Sequence, residues 1–268
     1  MTTSPMYTFE TREAIAVDLS VEFGGARIIA GQRNTTVVEV RPMSEGRRAD
    51  VEAAERTRVQ LAGGRLEVRA HKPGRLGALI RPGAVDIVIQ LPAGSNVQGN
   101  GAYGDFDTEG RLGDCFFKTS YGALHVQEAG ALTLHTSAGN ISAGRVSGVA
   151  EISSSSGDLR IDETGAEANL KTSAGDIRVE RALGGVNART AYGAIRVARA
   201  IRGELDLTTS YGEIEVGVAE GTATLLKLRS KHGALRNELI RVDDPAGPEE
   251  FLKVHAVSGY GDIRIRRA

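Results

Sequence analysis

The chain has no tryptophan, one cysteine and seven prolines, and aromatic residues make up only 4% of its 268 positions. So few large rings cannot fill a wide interior, which leaves a narrow core of small aliphatic side chains. Cys115 stands alone, so no intramolecular disulfide is possible. The formal net charge is -1 with 25% charged residues. No basic excess is present to release counterions from nucleic acid, and no acidic excess to imitate it. No run approaches the roughly 18 consecutive apolar residues of a membrane-spanning helix. The opening MTTSPMYTFETREAIAVDL has neither a basic n-region nor an apolar h-region. These absences predict a soluble cytoplasmic protein, for which a surface location would need a non-standard export route.

Glycine is abundant, at 34 residues, and it recurs in register. Gly104, Gly122, Gly139, Gly157, Gly175, Gly193, Gly212, Gly233 and Gly261 are separated by 18, 17, 18, 18, 18, 19, 21 and 28 positions. Two residues after each glycine stand Phe106, Leu124, Ile141, Leu159, Ile177, Ile195, Ile214, Leu235 and Ile263, all apolar. Four residues after, the column is mostly aliphatic, from Val126 to Ile265, with Asn237 as an exception. Between them lie polar residues such as Arg160, Arg178 and Arg196. This alternation is that of a half-buried strand. A second alternating segment precedes each glycine, with Leu132 and Leu134, Ala168 and Leu170, or Leu205 and Leu207 inward. A period near 18 with two short strands per repeat predicts a parallel β-helix, an all-β solenoid whose coils stack one on the last.

The turns repeat as well. Three residues before the glycine stands a hydroxyl, as in Thr119, Thr136, Ser154, Thr172, Thr190, Thr209, Ser230 and Ser258, suited to bond a turn backbone group or its copy one coil away. The glycine itself is expected at positive φ. Immediately before it stand Tyr103, Tyr121, Tyr192, Tyr211, Tyr260 and His232, predicted to stack in part along one edge.

Residues 1–95 carry less regular strand signals, at Ala14–Phe23, Arg27–Ala30, Thr36–Arg41, Arg65–Ala70 and Val85–Leu91, with turns at Gly24-Gly25 and Gly63-Gly64. Asp50–Arg58 fits one short helix or a polar loop. The expected organisation is an irregular β-rich N-terminal cap over 1–95, continuous with a solenoid of about nine coils over 96–268. An insertion at Glu238–Phe251 lengthens the last repeats, and the final coil ends in IRIRRA without an evident cap.

Chemistry is harder to find. Asp105, Asp158, Asp176, Glu213 and Asp262 follow the repeat glycines. Calcium-binding nonapeptide solenoids use G-G-x-G-x-D, whereas this chain has S/T-x-x-G-D at double the period. A solvated ladder, with Arg160, Arg178 and Arg196 pairing diagonally to Asp158 and Asp176, explains the carboxylates better. The histidines at 71, 125, 135, 232 and 255 lack metal-ligand spacing, and no G-x-S-x-G is present. The aliphatic spacing differs from that of hexapeptide-repeat acyltransferases. The outward column Lys118, His135, Ser153, Lys171 and Arg189 is not the threonine face of an ice-binding solenoid. No cofactor and no metal site is expected.

The segments TSYGALHV, TSAGNISA, SSSGDLRI, TSAGDIRV, TAYGAIRV and TSYGEIEV, led in by VDIVIQLPAGSNVQGNGAYGDF, resemble a bacterial β-strand-repeat family filed as a domain of unknown function and labelled "putative adhesin". The resemblance spans nearly the whole chain. It implies a right-handed parallel β-helix and, through the label, surface attachment. It brings no agreed catalytic or ligand residues, and the chain shows neither signal peptide nor anchor. The expectation is a non-catalytic scaffold that binds a protein partner through its ladder surfaces. Its candidate contact stripe is Tyr103, Tyr121, Tyr192, Tyr211 and Tyr260. End-to-end self-association through the IRIRRA coil is the alternative, and a carbohydrate-active β-helix enzyme the third.

Overall fold

A computed structural model of the chain describes residues 5–70, 82–239 and 250–268. The chain divides into two compact units, Met1–Ser137 and Ala138–Ala268. Both are built almost wholly of strands, and the parallel β-helix expected from the repeat is the fold.

In the first unit the elements run β1 (Met6–Glu10), β2 (Ala16–Gly31), β3 (Thr35–Pro42), α1 (Arg48–Glu55), β4 (Arg58–Ala62), β5 (Arg65–Arg69), β6 (Val85–Pro92), β7 (Asn96–Tyr103), β8 (Phe106–Arg111), β9 (Cys115–Lys118), β10 (Leu124–Ala129) and β11 (Leu132–Ala138). The second contains β12 (Ile141–Val146), β13 (Ala150–Ser156), β14 (Leu159–Thr164), β15 (Ala168–Lys171), β16 (Ile177–Ala182), β17 (Val186–Tyr192), β18 (Ile195–Ala200), β19 (Gly203–Tyr211), β20 (Ile214–Val218), β21 (Thr222–His232), β22 (Leu235–Asn237), β23 (Glu250–Tyr260) and β24 (Ile263–Arg267).

Each coil has a leading strand before its glycine and a trailing strand after it, and like positions pair in parallel. Leu159 sits on Ile177 and Ile177 on Ile195, all at most 1% exposed. The glycine lets the corner turn. Gly175 has φ 147°, and a Cβ there would lie 2.1 Å from the carbonyl oxygen of Gly157 one coil away. The hydroxyl column bonds that same file of carbonyls. Thr172 donates to Gly157 at 3.1 Å, Thr190 to Gly175 at 3.1 Å, and Thr209 to Gly193 at 2.9 Å. Each such bond contributes about 1 kcal/mol, and their repetition fixes rung to rung.

Two features depart from the expected order of coils. The first lies in the region read as an irregular cap. Ala14–Phe23 and Arg27–Ala30 are not two strands around a Gly24-Gly25 turn. They form the single strand β2, which bends through both sheets as a complete coil. Its leading half pairs with β5 and β7, and its trailing half with β6 and β8. The ladder therefore begins well before residue 96. Beyond β5 and β6 the strands turn antiparallel, β4 on β5 and β3 on β6, with β1 on β3. The β4–β5 hairpin turns on Gly63 and Gly64, with φ 56° and 75°, the positive pair that a tight two-residue hairpin favours. Asp50–Arg58 resolves into α1 followed by the start of β4. The helix buries Asp50, Ala53 and Ala54. Asp50, fully buried, accepts the Ala84 N–H at 2.9 Å and pairs with Arg47 at 3.2 Å.

The second departure is at the other terminus. The last coil in sequence is not the last in space. β23 pairs with β19 on one side and β21 on the other, and β24 pairs with β20 and β22. The IRIRRA coil is therefore interior, with Ile263 and Ile265 fully buried. This corrects its assignment as a bare end, and removes the basis for end-to-end joining through it. The edge coil is instead β21 and β22, with Leu225 58% and Leu235 51% exposed. Polarity explains the exchange. Asn237 occupies the trailing-strand position where the other coils of this unit put Ala, Ile or Val, and there it is exposed. Most of the Glu238–Phe251 insertion lies outside the described residues, as does His71.

Candidate functional site

The tyrosine column forms ring stacks in both units. In the first, Tyr103 lies over Tyr121 with centroids 4.9 Å apart and planes 3° apart, and Phe23 continues the stack below Tyr103 at 5.5 Å. In the second, Tyr192 meets Tyr211 at 5.2 Å, Tyr211 meets Tyr260 at 4.9 Å, and His232 closes on Tyr260 at 4.5 Å. Parallel strands about 4.8 Å apart impose this geometry once the residue before each corner glycine is aromatic. The five tyrosines are about half exposed, Tyr192 most of all at 61%. Their order in the second unit, Tyr192–Tyr211–Tyr260–His232, follows the exchanged coils rather than the sequence.

Phe23 was missed because Gly24-Gly25 looked like a turn. The signal was present: Val17, Leu19, Gly24, Ala26 and Ile28 reproduce the repeat template, with Val21 in place of its hydroxyl. The neighbours of Tyr192 on the other side are small. Ala174 is its bridge partner, and Ser156 pairs with Ala174.

The carboxylate column takes a role that the sequence did not suggest. Asp158 Oδ1 accepts the Asp176 N–H at 2.8 Å, Asp176 Oδ1 accepts the Ala194 N–H at 2.8 Å, and Asn140 Oδ1 accepts the Asp158 N–H at 2.9 Å. Asp105 and Asp262 do the same for Ala123 and Ala234. Each side chain carries the ladder across a corner where the next coil's N–H faces it. The expected diagonal pairs to Asp158 and Asp176 are not the ones formed. Arg160 pairs with Asp162 at 2.9 Å and Glu180 at 3.5 Å, Arg178 with Glu180, and Arg196 with Glu215 at 3.4 Å. These pairs are exposed and worth little singly. Among the described residues no three His, Cys, Asp or Glu side chains converge as a metal would require. Burial pushes the Cys115 thiol up to about 12, so it is no thiolate nucleophile.

One ion pair is more enclosed. Arg266 donates to Glu215 at 2.8 Å, which holds the Glu215 carboxyl below its ordinary range, with Arg196 and Arg264 adding to the effect. A depressed carboxylate stabilises the fold above its unfolded pKa, and that contribution disappears as pH falls through the folded value. Thermal melts should therefore separate wild type from Glu215→Gln at pH 7. The gap should narrow below about pH 4, and a gap constant down to pH 3 would contradict the pairing.

No helix among the described residues is long and apolar enough to cross a membrane. No curated protein matches the chain. Solved structures similar to it include a "putative adhesin" from Bacteroides fragilis, at 12% identity, covering 99% of this chain and 98% of that one with a TM-score of 0.44. A second, from Parabacteroides merdae under the same name, has 12% identity, covers 98% and 96%, and gives a TM-score of 0.47. A third, a "putative lipid binding protein" from Parabacteroides distasonis, has 11% identity, covers 100% and 97%, and gives a TM-score of 0.38. The profile of the family described as Toastrack DUF4097 matches residues 18–266, and the chain belongs to that family.

Proposed function

We propose that the chain is a non-catalytic binding scaffold that docks a protein partner through its exposed aromatic files. One observation carries this reading: tyrosines are held in flat stacks, half in solvent, on a backbone whose corners are tied coil to coil by side-chain hydrogen bonds. A rigid aromatic surface loses little side-chain entropy on binding, and tyrosine supplies both an apolar ring and a hydroxyl. The stack in the second unit is the larger, and the small Ala174 and Ser156 leave one face of Tyr192 open to an incoming side chain.

The test compares wild type with a Tyr192→Ser/Tyr211→Ser/Tyr260→Ser variant as baits in lysate of cells that carry the gene. Both baits should be folded by circular dichroism. A partner bound by wild type should be retained at least about tenfold less by the variant. Equal capture by both, or no captured protein with either, would defeat the proposal.

A further inference from the structure

The outer face of the leading sheet in the first unit holds two adjoining hollows that the aromatic files do not involve. Their volumes are about 320 and 470 Å³, and they share Asp18 and Gln98. The parallel register builds them. One row of side chains runs Asp18, Gln98, Phe116 and Thr133 across β2, β7, β9 and β11. To one side the row containing Ala16, Asn96, Asp114 and Ala131 is low, because its alanines are short. To the other side Ser20 is short beside Arg69 and Asn100. Gln98 stands on the ridge between the two depressions.

The chemistry that remains unspent selects the ligand. Arg65 is paired with Asp18 at 3.3 Å, and Arg69 with Glu67. Asp114 accepts the Ala131 N–H at 3.1 Å. The Oδ1 atoms of Asn96 and Asn100 are occupied by the Asp114 N–H and the Ser20 hydroxyl, at 2.8 and 3.2 Å. The two arginines are thus compensated within the protein, so an anion finds little net attraction, and among the described residues no three His, Cys, Asp or Glu side chains gather to hold a metal cation. The neutral polar groups that line the hollows are the amide of Gln98, the Nδ2 groups of Asn96 and Asn100, and the Thr133 hydroxyl. Beside them stands the Phe116 ring, 38% exposed, with His135 at its edge. Amide donors and acceptors at alternate positions of one rung, β7, next to one aromatic ring on the adjacent rung, match a ligand with hydroxyls around its rim and an apolar C–H face. Hollows of this size lie within the span of small-ligand sites, about 300–1,000 Å³.

We propose that this face binds a neutral saccharide, with Gln98 and Asn100 hydrogen-bonding ring hydroxyls and Phe116 stacking on a sugar face. Two joined depressions suit at least two consecutive sugar units. No tyrosine of the aromatic files lines the hollows, so the proposal's success or failure leaves the protein-docking reading untouched.

The experiment titrates the full chain, 15N-labelled, with maltopentaose, cellopentaose, mannopentaose and chitopentaose, and with oligogalacturonate as the acidic counterpart. The side-chain amide signals of Gln98 and Asn100 are followed up to about 10 mM ligand, which detects millimolar binding. At least one neutral oligosaccharide should shift both amides saturably. Phe116→Ala and Gln98→Ala, both at exposed positions, should each weaken that binding about tenfold with the backbone spectrum otherwise unchanged. Absence of a shift with every neutral sugar would overturn the proposal. So would stronger binding of the acidic oligosaccharide, or shifts that both variants leave intact.

Discussion

Ile177→Asp should lose most of the stability of the second unit. Ile177 is 1% exposed and lies between Leu159 and Ile195 on adjacent rungs. A carboxylate there has no partner and no water, and the neighbouring coils cannot move apart without breaking ladder hydrogen bonds on both sides. The cost should be about 4 kcal/mol or more, which in a chain of this size lowers the melting temperature by about 10 °C. The adjacent residue supplies the contrast. Arg178 faces solvent and pairs with Glu180, so Arg178→Ala should leave the melting temperature nearly unchanged. Differential scanning calorimetry of the two variants checks the register, and a melting temperature for Ile177→Asp within about 3 °C of wild type would refute it.

The interior was legible because a stacked coil writes itself into the sequence at fixed intervals. Ile177 has to be apolar for the same reason as Leu159 and Ile195, and Thr172 and Thr190 recur because each meets a glycine carbonyl of the coil before. The order of the coils was not legible in the same way. Every coil obeys one template, so exchanging two of them preserves nearly all the pairings that the template describes. β2 illustrates this: Val17 pairs with Val97 and also with Leu66, and nothing in the eighteen-residue spacing announces partners so distant on either side. Asn237 and the 28-residue gap before Gly261 were the available signs of an edge coil, and they distinguish β21 and β22 only once exposure is considered.

The candidate sites divide along the same line. The tyrosine files follow from one column of the repeat, and only Phe23 escaped, behind a glycine pair that mimics a turn. The hollows around Gln98 could not be read in advance. Asp18, Arg65, Gln98, Phe116 and Thr133 come from five strands, and two of those belong to the region where spacing is lost. The aspartate column shows a different limit. Its regularity was visible, but composition and spacing do not tell whether a carboxylate faces an arginine or the next coil's N–H, because both partners lie one rung away.

Engineered disulfides should settle the coil order in an all-or-none manner. Asp206, on β19, lies beside His255, on β23, with its carboxylate 3.7 Å from Nδ1, and Lys227, on β21, is the neighbour of His255 on the far side. Adjacent parallel rungs are about 4.8 Å apart and alternate rungs about twice that, while a disulfide needs Cα atoms within about 4.4–6.8 Å. Asp206→Cys/His255→Cys should therefore cross-link nearly completely in air, and Asp206→Cys/Lys227→Cys should remain as free thiols. The native Cys115 can stay in place, since its thiol is buried and raised to about 12. All three positions face outward, so the substitutions leave the apolar files intact. Coils stacked in sequence order would put Lys227 directly on Asp206 and reverse both results. β21 meets β19 only through β23, so the native ladder is complete only when the last coil lies between residues 222–237 and the strand that ends at Tyr211.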